Sequence, residues 1–476
     1  MECCEDTETT TKPVVDMPES VTIKESSIFK DTKVSQDFQK DEILREKKVE
    51  ETTRKIPVVT ERIRENITGK IPEVTEKLQE DITSKIQEVK KEVNESLLLT
   101  NENESIKNIE EIYSTNWFYY NWNNSPRLLC EATAEYQTTE SYENFTKGCQ
   151  WSPDRTCLLV PSEDFRIRIY ELPKELYSEK IPSNLSSTKF SAALTVKEGG
   201  LIYDACWYPF MNSWEPASCC FLSTSRESPI HLWDAFNGEL RATYRAYNQV
   251  DEVEAAISIQ FIDSAKEVWA GFKNALRVFN MEHPGRQINT IEFKRDFPNV
   301  IGLVSCIREN PIMPGLVAFG TYSKNIGLYR DGPLCTFKTG SGVTQIEFSP
   351  CGTKLFSVVR RSNEFLCWDL RNPGTVLYSL EGRQSDTNQR IQFDITSNGN
   401  EIVSGGTNGD IKIWKLPQSS NCEDLNASHK IKLSCDCING ISLHKSLPII
   451  AISTGQRFCD SVPQGRDNSV RLWLCS

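Results

Sequence analysis

Glu364-Phe365-Leu366-Cys367-Trp368-Asp369 and Pro229-Ile230-His231-Leu232-Trp233-Asp234 share one form: a polar turn, alternating apolar residues, then an aromatic. Five more stretches repeat it, namely Phe165–Tyr170, Ala275–Phe279, Asn325–Tyr329, Asp410–Trp414 and Ser469–Trp473. The aromatic positions lie 63, 46, 50, 39, 46 and 59 residues apart. Most of those gaps are near the ~40–45 residues of a WD-type propeller blade, and the longer ones imply insertions.

Working outward, each aromatic strand follows an apolar run ending in small residues, as in Cys219–Ser225 or Glu401–Gly406. Before that comes a run ending in a turn, as in Ile346-Glu347-Phe348-Ser349-Pro350-Cys351-Gly352. Inner strand, turn, second strand, turn, aromatic third strand is the order of a propeller blade. Seven copies predict an all-β, seven-bladed WD40 propeller over residues 113–476, with Trp233, Asp234, Trp368 and Asp369 as structural positions. The chain stops at Ser476, directly after the seventh third strand, so that blade lacks an outer strand. A plausible strand at about 125–132 precedes the first repeat, and placing it on the last blade closes the ring and removes an exposed edge. The nearby Trp117-Phe118-Tyr119-Tyr120-Asn121-Trp122 cluster is expected to pack against that closure.

The net charge of -12 is uneven: residues 1–112 carry about -9 of it, leaving the rest near neutral. A near-neutral domain argues against sequence-blind coating of DNA, although a local basic face remains open. Residues 1–112 hold only two aromatics, Phe29 and Phe38, too few to offset ordering entropy, so they are expected to form a largely disordered acidic arm. Inside that arm, Lys55-Ile56-Pro57, Lys70-Ile71-Pro72 and Lys85-Ile86-Gln87 recur every fifteen residues. Apolar residues from Val59 to Val93 step by threes and fours, giving an amphipathic helical stripe over about 55–95. It reads either as a partner-binding helix or as a transient helix in a solvated linker.

The seventeen cysteines are scattered along the chain, and many lie in strand-like runs, where free cysteine behaves as a small buried hydrophobe. Met1-Glu2-Cys3-Cys4-Glu5-Asp6 has neither a basic nor an apolar signal region, and no run of ~18 apolar residues occurs. A reducing compartment, cytosol or nucleus, and no membrane association are expected.

Motifs for catalysis are missing. The four histidines show no ligand spacing with cysteine, and Cys435-Asp436-Cys437 is a lone pair on one strand, so no metal is expected. Neither a Gly-x-Ser-x-Gly elbow nor a phosphate loop occurs, so no cofactor and no enzyme activity are expected.

Blade arithmetic places the basic residues instead. In a propeller, the turn between second and third strands and the link into each inner strand open on one face. Arg226, Lys273, Lys324, Arg360, Arg361 and Arg457 fall in the first kind of turn, with Tyr322 beside Lys324; Asn388-Gln389-Arg390 falls in the second. Arginine and aromatic planes stack on unpaired bases and amides read base edges, which suits single-stranded loops of a structured RNA. Ordinary surface charge or Arg–carboxylate bridging, as Arg226-Glu227 suggests, and a peptide partner are the competing readings.

Ser225–Asn248, with Asn144–Trp151, Thr387-Asn388-Gln389-Arg390-Ile391, Asn439–His444 and Ser453–Arg457, resembles the telomerase Cajal body protein 1 family. The resemblance covers about residues 140–475; the arm does not resemble that family's proline-rich N-terminus. It implies a nuclear RNA-binding scaffold, with some cytoplasmic pool, that recognises the Cajal body box of small Cajal body (box H/ACA type) RNAs. Telomerase RNA is a further implied client, not required in every lineage. Box H/ACA ribonucleoprotein proteins and Cajal body proteins are implied partners of a monomeric propeller that delivers these particles to Cajal bodies. The alternative is a protein–protein adaptor binding peptides without RNA. Phe145 and Gly440 also stand in family-like strings and read as structural: a buried anchor, and a tight turn into the last inner strand. The Gly-His pairs of many WD repeats are missing, so His–Asp bracing of blades is not expected.

Overall fold

The computed structural model describes residues 119–137, 143–177, 186–417, 424–457 and 466–476. The expectations for residues 1–112, and for Trp117 and Phe118, lie outside the described residues. Nearly all regular structure is β: seven sheets of four principal antiparallel strands follow one another around a ring. Blade 2 is typical, pairing Ile202–Trp207, Cys220–Ser225, Ile230–Asp234 and Leu240–Tyr244 in sequence order. All seven aromatics that open the sequence argument sit in third strands. Among the described residues, no helix is long and apolar enough to cross a membrane.

The long gaps in the repeat are insertions. Before blade 2's second strand, Tyr208–Cys219 forms a loop; Phe293–Asp296 adds a helical turn after blade 3. Ala246–Tyr247 and Val253–Glu254 pair as an extra hairpin. The ring closes through Arg127–Ala132, which pairs antiparallel with Val470–Leu474. Thr188–Lys189 in turn pairs in parallel with Cys130 and Glu131, covering part of that strand's outer edge. Trp122 is buried among Val403, Ile413 and Ile450, so it and Tyr120 pack between blades 6 and 7, whereas Tyr119 is exposed. Tyr120 stacks on Trp122 at 5.0 Å and donates its hydroxyl to His444 O.

In blade 2 the bracing acid is a glutamate. Glu198, on the link into blade 2, is fully buried and accepts from Trp233 Nε1 (2.9 Å), His231 Nδ1 (3.1 Å) and the Ser223 and Ser225 hydroxyls. Burial raises the Glu198 pKa, but these partners outweigh it and hold the carboxyl down at about 2. Trp233 Nε1 also donates to Ser223 Oγ at 2.8 Å, and Trp368 repeats that bond, donating Nε1 to Ser357 Oγ at 2.7 Å. The acids that follow the tryptophans do a different task. Asp234 accepts from the Phe236 and Asn237 amides and from Arg241, and Asp369 from Arg371, so each fastens the turn leaving its third strand.

Phe145 is buried beside Gly455, before the first inner strand. Gly440 does not make a turn. It lies inside the inner strand Ile438–Leu443, and a Cβ there would meet Ser453 Oγ, Gly148 Cα at 2.6 Å and Cys149 N at 2.7 Å. Glycine is needed because blade 1's backbone crosses that close. Its neighbour Asn439 joins the same seam, donating Nδ2 to Thr146 O and Gly455 O at 2.7 Å each.

Candidate nucleic-acid interface

Four inner strands carry a one-residue bulge at their start, between Ile202 and Asp204, Val304 and Cys306, Val343 and Gln345, and Ile438 and Gly440. A bulge re-aims the extra residue and breaks the alternation of the strand. The extra residues are Tyr203, Ser305, Thr344 and Asn439. Tyr203 is thereby brought to the mouth of the central channel, and the Ser305 carbonyl becomes an acceptor within it.

The mouth is a cavity of about 570 Å³. Tyr322, Asn388, Gln389, Arg390 and Arg457 line it together, although they come from blades 4, 6 and 7. Arg226, Lys324, Arg360 and Arg361 stand on the same set of turns but outside this cavity. Arg360 is tied to it indirectly, with its guanidinium 4.5 Å from the Tyr322 ring centre. Arg226 is exposed and paired with Glu227 at 3.0 Å. Lys324 and Arg361 are exposed, at left-handed φ of 68° and 51°.

Arg390 differs from the exposed rim residue expected. Its side chain is 27% exposed and turns into the channel, where Nη1 reaches Asp204 Oδ1 at 3.3 Å and Nη2 donates to Ser305 O at 2.5 Å. It bridges blade 6 to blades 2 and 4, and it lines the channel space on both sides of its own level. Burial disfavours its charge, but Tyr322 and Asp204 outweigh that and hold its pKa above the usual arginine value.

Sequence reasoning missed Lys147 and Glu163. Lys147 Nζ lies 2.8 Å from Glu163, which also pairs with Arg457. Burial lowers the Lys147 pKa; Glu163 opposes this, and the charges of Arg457 and Arg390 lower it further. Three cations thus crowd against Glu163 and Asp204. Lys147 precedes blade 1's inner strand as Arg390 precedes blade 6's, so the same blade arithmetic would have found it. Tyr203 had no such signal, because a bulge leaves no mark on apolar alternation. Asn388 is exposed and its amide makes no hydrogen bond among the described residues, whereas Gln389 Oε1 accepts from the Arg457 amide at 3.1 Å. Chemically, the mouth offers cations for phosphate, tyrosine faces for stacking and a free amide for a base edge.

A rat protein, "Telomerase Cajal body protein 1", is 41% identical over 71% of this chain and 63% of its own length. The mouse protein of the same name is 40% identical over 75% of the chain and 67% of its own. The chain belongs to the telomerase Cajal body protein 1 family. It spans less than two thirds of the rat relative's length. A Schizosaccharomyces pombe protein, "Guanine nucleotide-binding protein negative regulator 1", is 32% identical over 57% of the chain and 71% of its own length. No family model matches the chain. The family string Thr387–Ile391 contributes Asn388, Gln389 and Arg390 to the channel mouth, and the string Ser453–Arg457 contributes Arg457.

Proposed function

We propose that the channel mouth and its surrounding turns bind a short unpaired loop, the Cajal body box, of small Cajal body RNAs of the box H/ACA type. Telomerase RNA is a second client in this reading, and the propeller is the nuclear scaffold through which these ribonucleoproteins reach Cajal bodies. The observation that carries it is the crowding of Lys147, Arg390 and Arg457 around one cavity with Tyr203, Tyr322 and the unbonded Asn388 amide. Lys147, Arg390 and Arg457 share two acids, Glu163 and Asp204, so the surplus cation gains from an incoming phosphate. Membership of a family whose relatives are named for telomerase and the Cajal body supports the choice of RNA. Arg226, Lys324, Arg360 and Arg361 act in this reading as outer phosphate contacts that position the loop, while Asn388 and the two tyrosines read and stack its bases.

The test is direct binding of a labelled box H/ACA hairpin to the full-length protein across a salt series. Affinity should fall steeply with salt, with a log–log slope of about -0.7 for each phosphate contacted. Arg457→Ala should weaken binding and flatten that slope by about one contact. A flat salt response with no dependence on Arg457 favours the adaptor reading, which the fission yeast relative's name, a regulator of a guanine nucleotide-binding protein, also fits.

A further inference from the structure

Among the described residues, three arginines are buried: Arg168, Arg277 and Arg383. The first two face acids, Asp164 at 2.6 Å and Glu254 at 2.7 Å. Arg383 is 1% exposed and pairs with no acid among the described residues. Its Nη1 donates to Val359 O at 3.4 Å and its Nη2 to Ile391 O at 3.0 Å, while its Nε meets no acceptor among those residues. Burial pushes its pKa down to about 9, opposed by the Cys437 thiol. A buried charge this short of partners is destabilising, and a well-packed apolar side chain of similar volume would serve stability better. Stability alone therefore does not account for an arginine here.

Its place in the fold does. Arg383 stands near the start of the link from Thr375–Glu381 to Phe393–Ile395, the link that carries Asn388, Gln389 and Arg390. Its bond to Ile391, eight residues on, closes that link into a loop. The same guanidinium reaches Val359, the last residue of the strand Lys354–Val359, and so ties the loop to blade 5. From 382 to 390 every residue but Arg383 and Ser385 is exposed or half-exposed, so the loop folds around the Arg383 side chain. Bonds from outside complete the hold: the Ser385 amide donates to Asn363 Oδ1 at 3.0 Å, and the Arg361 amide to Thr387 O at 2.8 Å. A lysine ammonium is a single point of charge, whereas the planar arginine fork can span two carbonyls at once.

We propose that Arg383 is a positioning residue of the RNA site, whose fork sets the loop 382–392 so that the Asn388 amide and the Arg390 guanidinium are presented at the channel mouth. Being enclosed, Arg383 touches no RNA itself and acts through Asn388 and Arg390. This role rests on the RNA reading above and adds the residue on which discrimination between bases depends.

The test compares affinities of the full-length protein for a labelled box H/ACA hairpin and for the same hairpin with a scrambled loop. Both RNAs carry the same phosphate charge, so the ratio of affinities reads base recognition apart from electrostatics. In Arg383→Lys the ratio should fall about tenfold, the scale of one lost base contact, with affinity for the scrambled hairpin nearly unchanged. Adding Asn388→Ala to that variant should lower the ratio little further, because the two changes act on one contact. Arg383→Met, which buries no charge, carries the same expectation should the lysine variant not fold. A ratio equal to the parent's, even with both affinities reduced, overturns the role and leaves the RNA reading standing. So do independent, multiplying losses in the double variant, or failure of both single variants to fold, which makes Arg383 a folding residue. A parent that does not prefer the natural loop overturns the RNA reading itself, and this role with it.

Discussion

Arg390 and Arg457 look alike in the sequence and differ in what surrounds them. Arg457 is a 59%-exposed partner of Glu163, and exposed pairs are worth about 0–1 kcal/mol. Arg390 is enclosed by the ring, and removing it leaves Asp204 and the Ser305 carbonyl without their partner. Breaking a half-buried contact of this kind costs on the order of 2–3 kcal/mol. Arg457→Ala should therefore leave the denaturant midpoint nearly unchanged, whereas Arg390→Ala should lower it clearly; equal effects on stability would refute the geometry. Gly440→Ala should also destabilise, by at least the roughly 1–3 kcal/mol of overpacking, because two of the three atoms its Cβ meets are backbone.

His444 supplies a pH-dependent prediction at the same scale. Its Nδ1 accepts from the Leu447 amide at 3.0 Å and its Nε2 donates to Arg155 O, so the folded protein uses the neutral ring. Burial pushes its pKa down to about 4. Between about 6.5 and 4 the unfolded chain takes up a proton that the folded chain refuses, so stability falls as pH falls through that window. The full effect is roughly 3 kcal/mol. Melting temperatures at pH 7 and pH 4.5 should converge in His444→Gln relative to the parent; an unchanged pH slope would contradict the assigned ring state.

Among the elements, the closing strand Arg127–Ala132 matters most, because it pairs the last-made edge of the ring with the first part of the fold. Leu129 on that strand is fully buried. Leu129→Asp should unpair the closure and expose Val470–Leu474, lowering the melting temperature and causing concentration-dependent aggregation seen by light scattering. A soluble variant with the parent's melting temperature would mean that the ring does not depend on this closure. The brace at Glu198 works at the same scale. Its depressed pKa stabilises the fold above the unfolded carboxyl value and loses that contribution as pH falls from about 4.5 through 2. Glu198→Ala should cost roughly 3 kcal/mol, since Trp233, His231 and two serine hydroxyls lose one shared acceptor.

Across the whole molecule, third strands were legible because they bury an aromatic at a fixed place after strict alternation. Fourth strands were not: Leu240–Tyr244 exposes or half-exposes all but its last residue, so it leaves no apolar pattern. The closing strand was legible from what the seventh repeat lacked. The turns bearing Arg226, Lys324, Arg361 and Arg457 followed from blade arithmetic alone. Contacts across the ring did not. Arg390 meets Ser305 at a separation of 85 residues, and Tyr203 reaches the mouth only through a bulge. Gly440 was misread as a turn because the reason for glycine lies in another blade.

One face of this ring is proposed to hold RNA. Crosslinking with RNA sequencing on the full-length protein, beside an Arg226, Asn388, Arg457→Ala triple variant of unchanged melting temperature, tests it most directly. All three side chains are exposed and spare the Arg390 bridge. The expected result is enrichment of small nuclear guide RNAs of the box H/ACA type, crosslinked through an unpaired loop, that disappears in the variant. No enrichment from the folded parent, or enrichment that the variant retains, would contradict it.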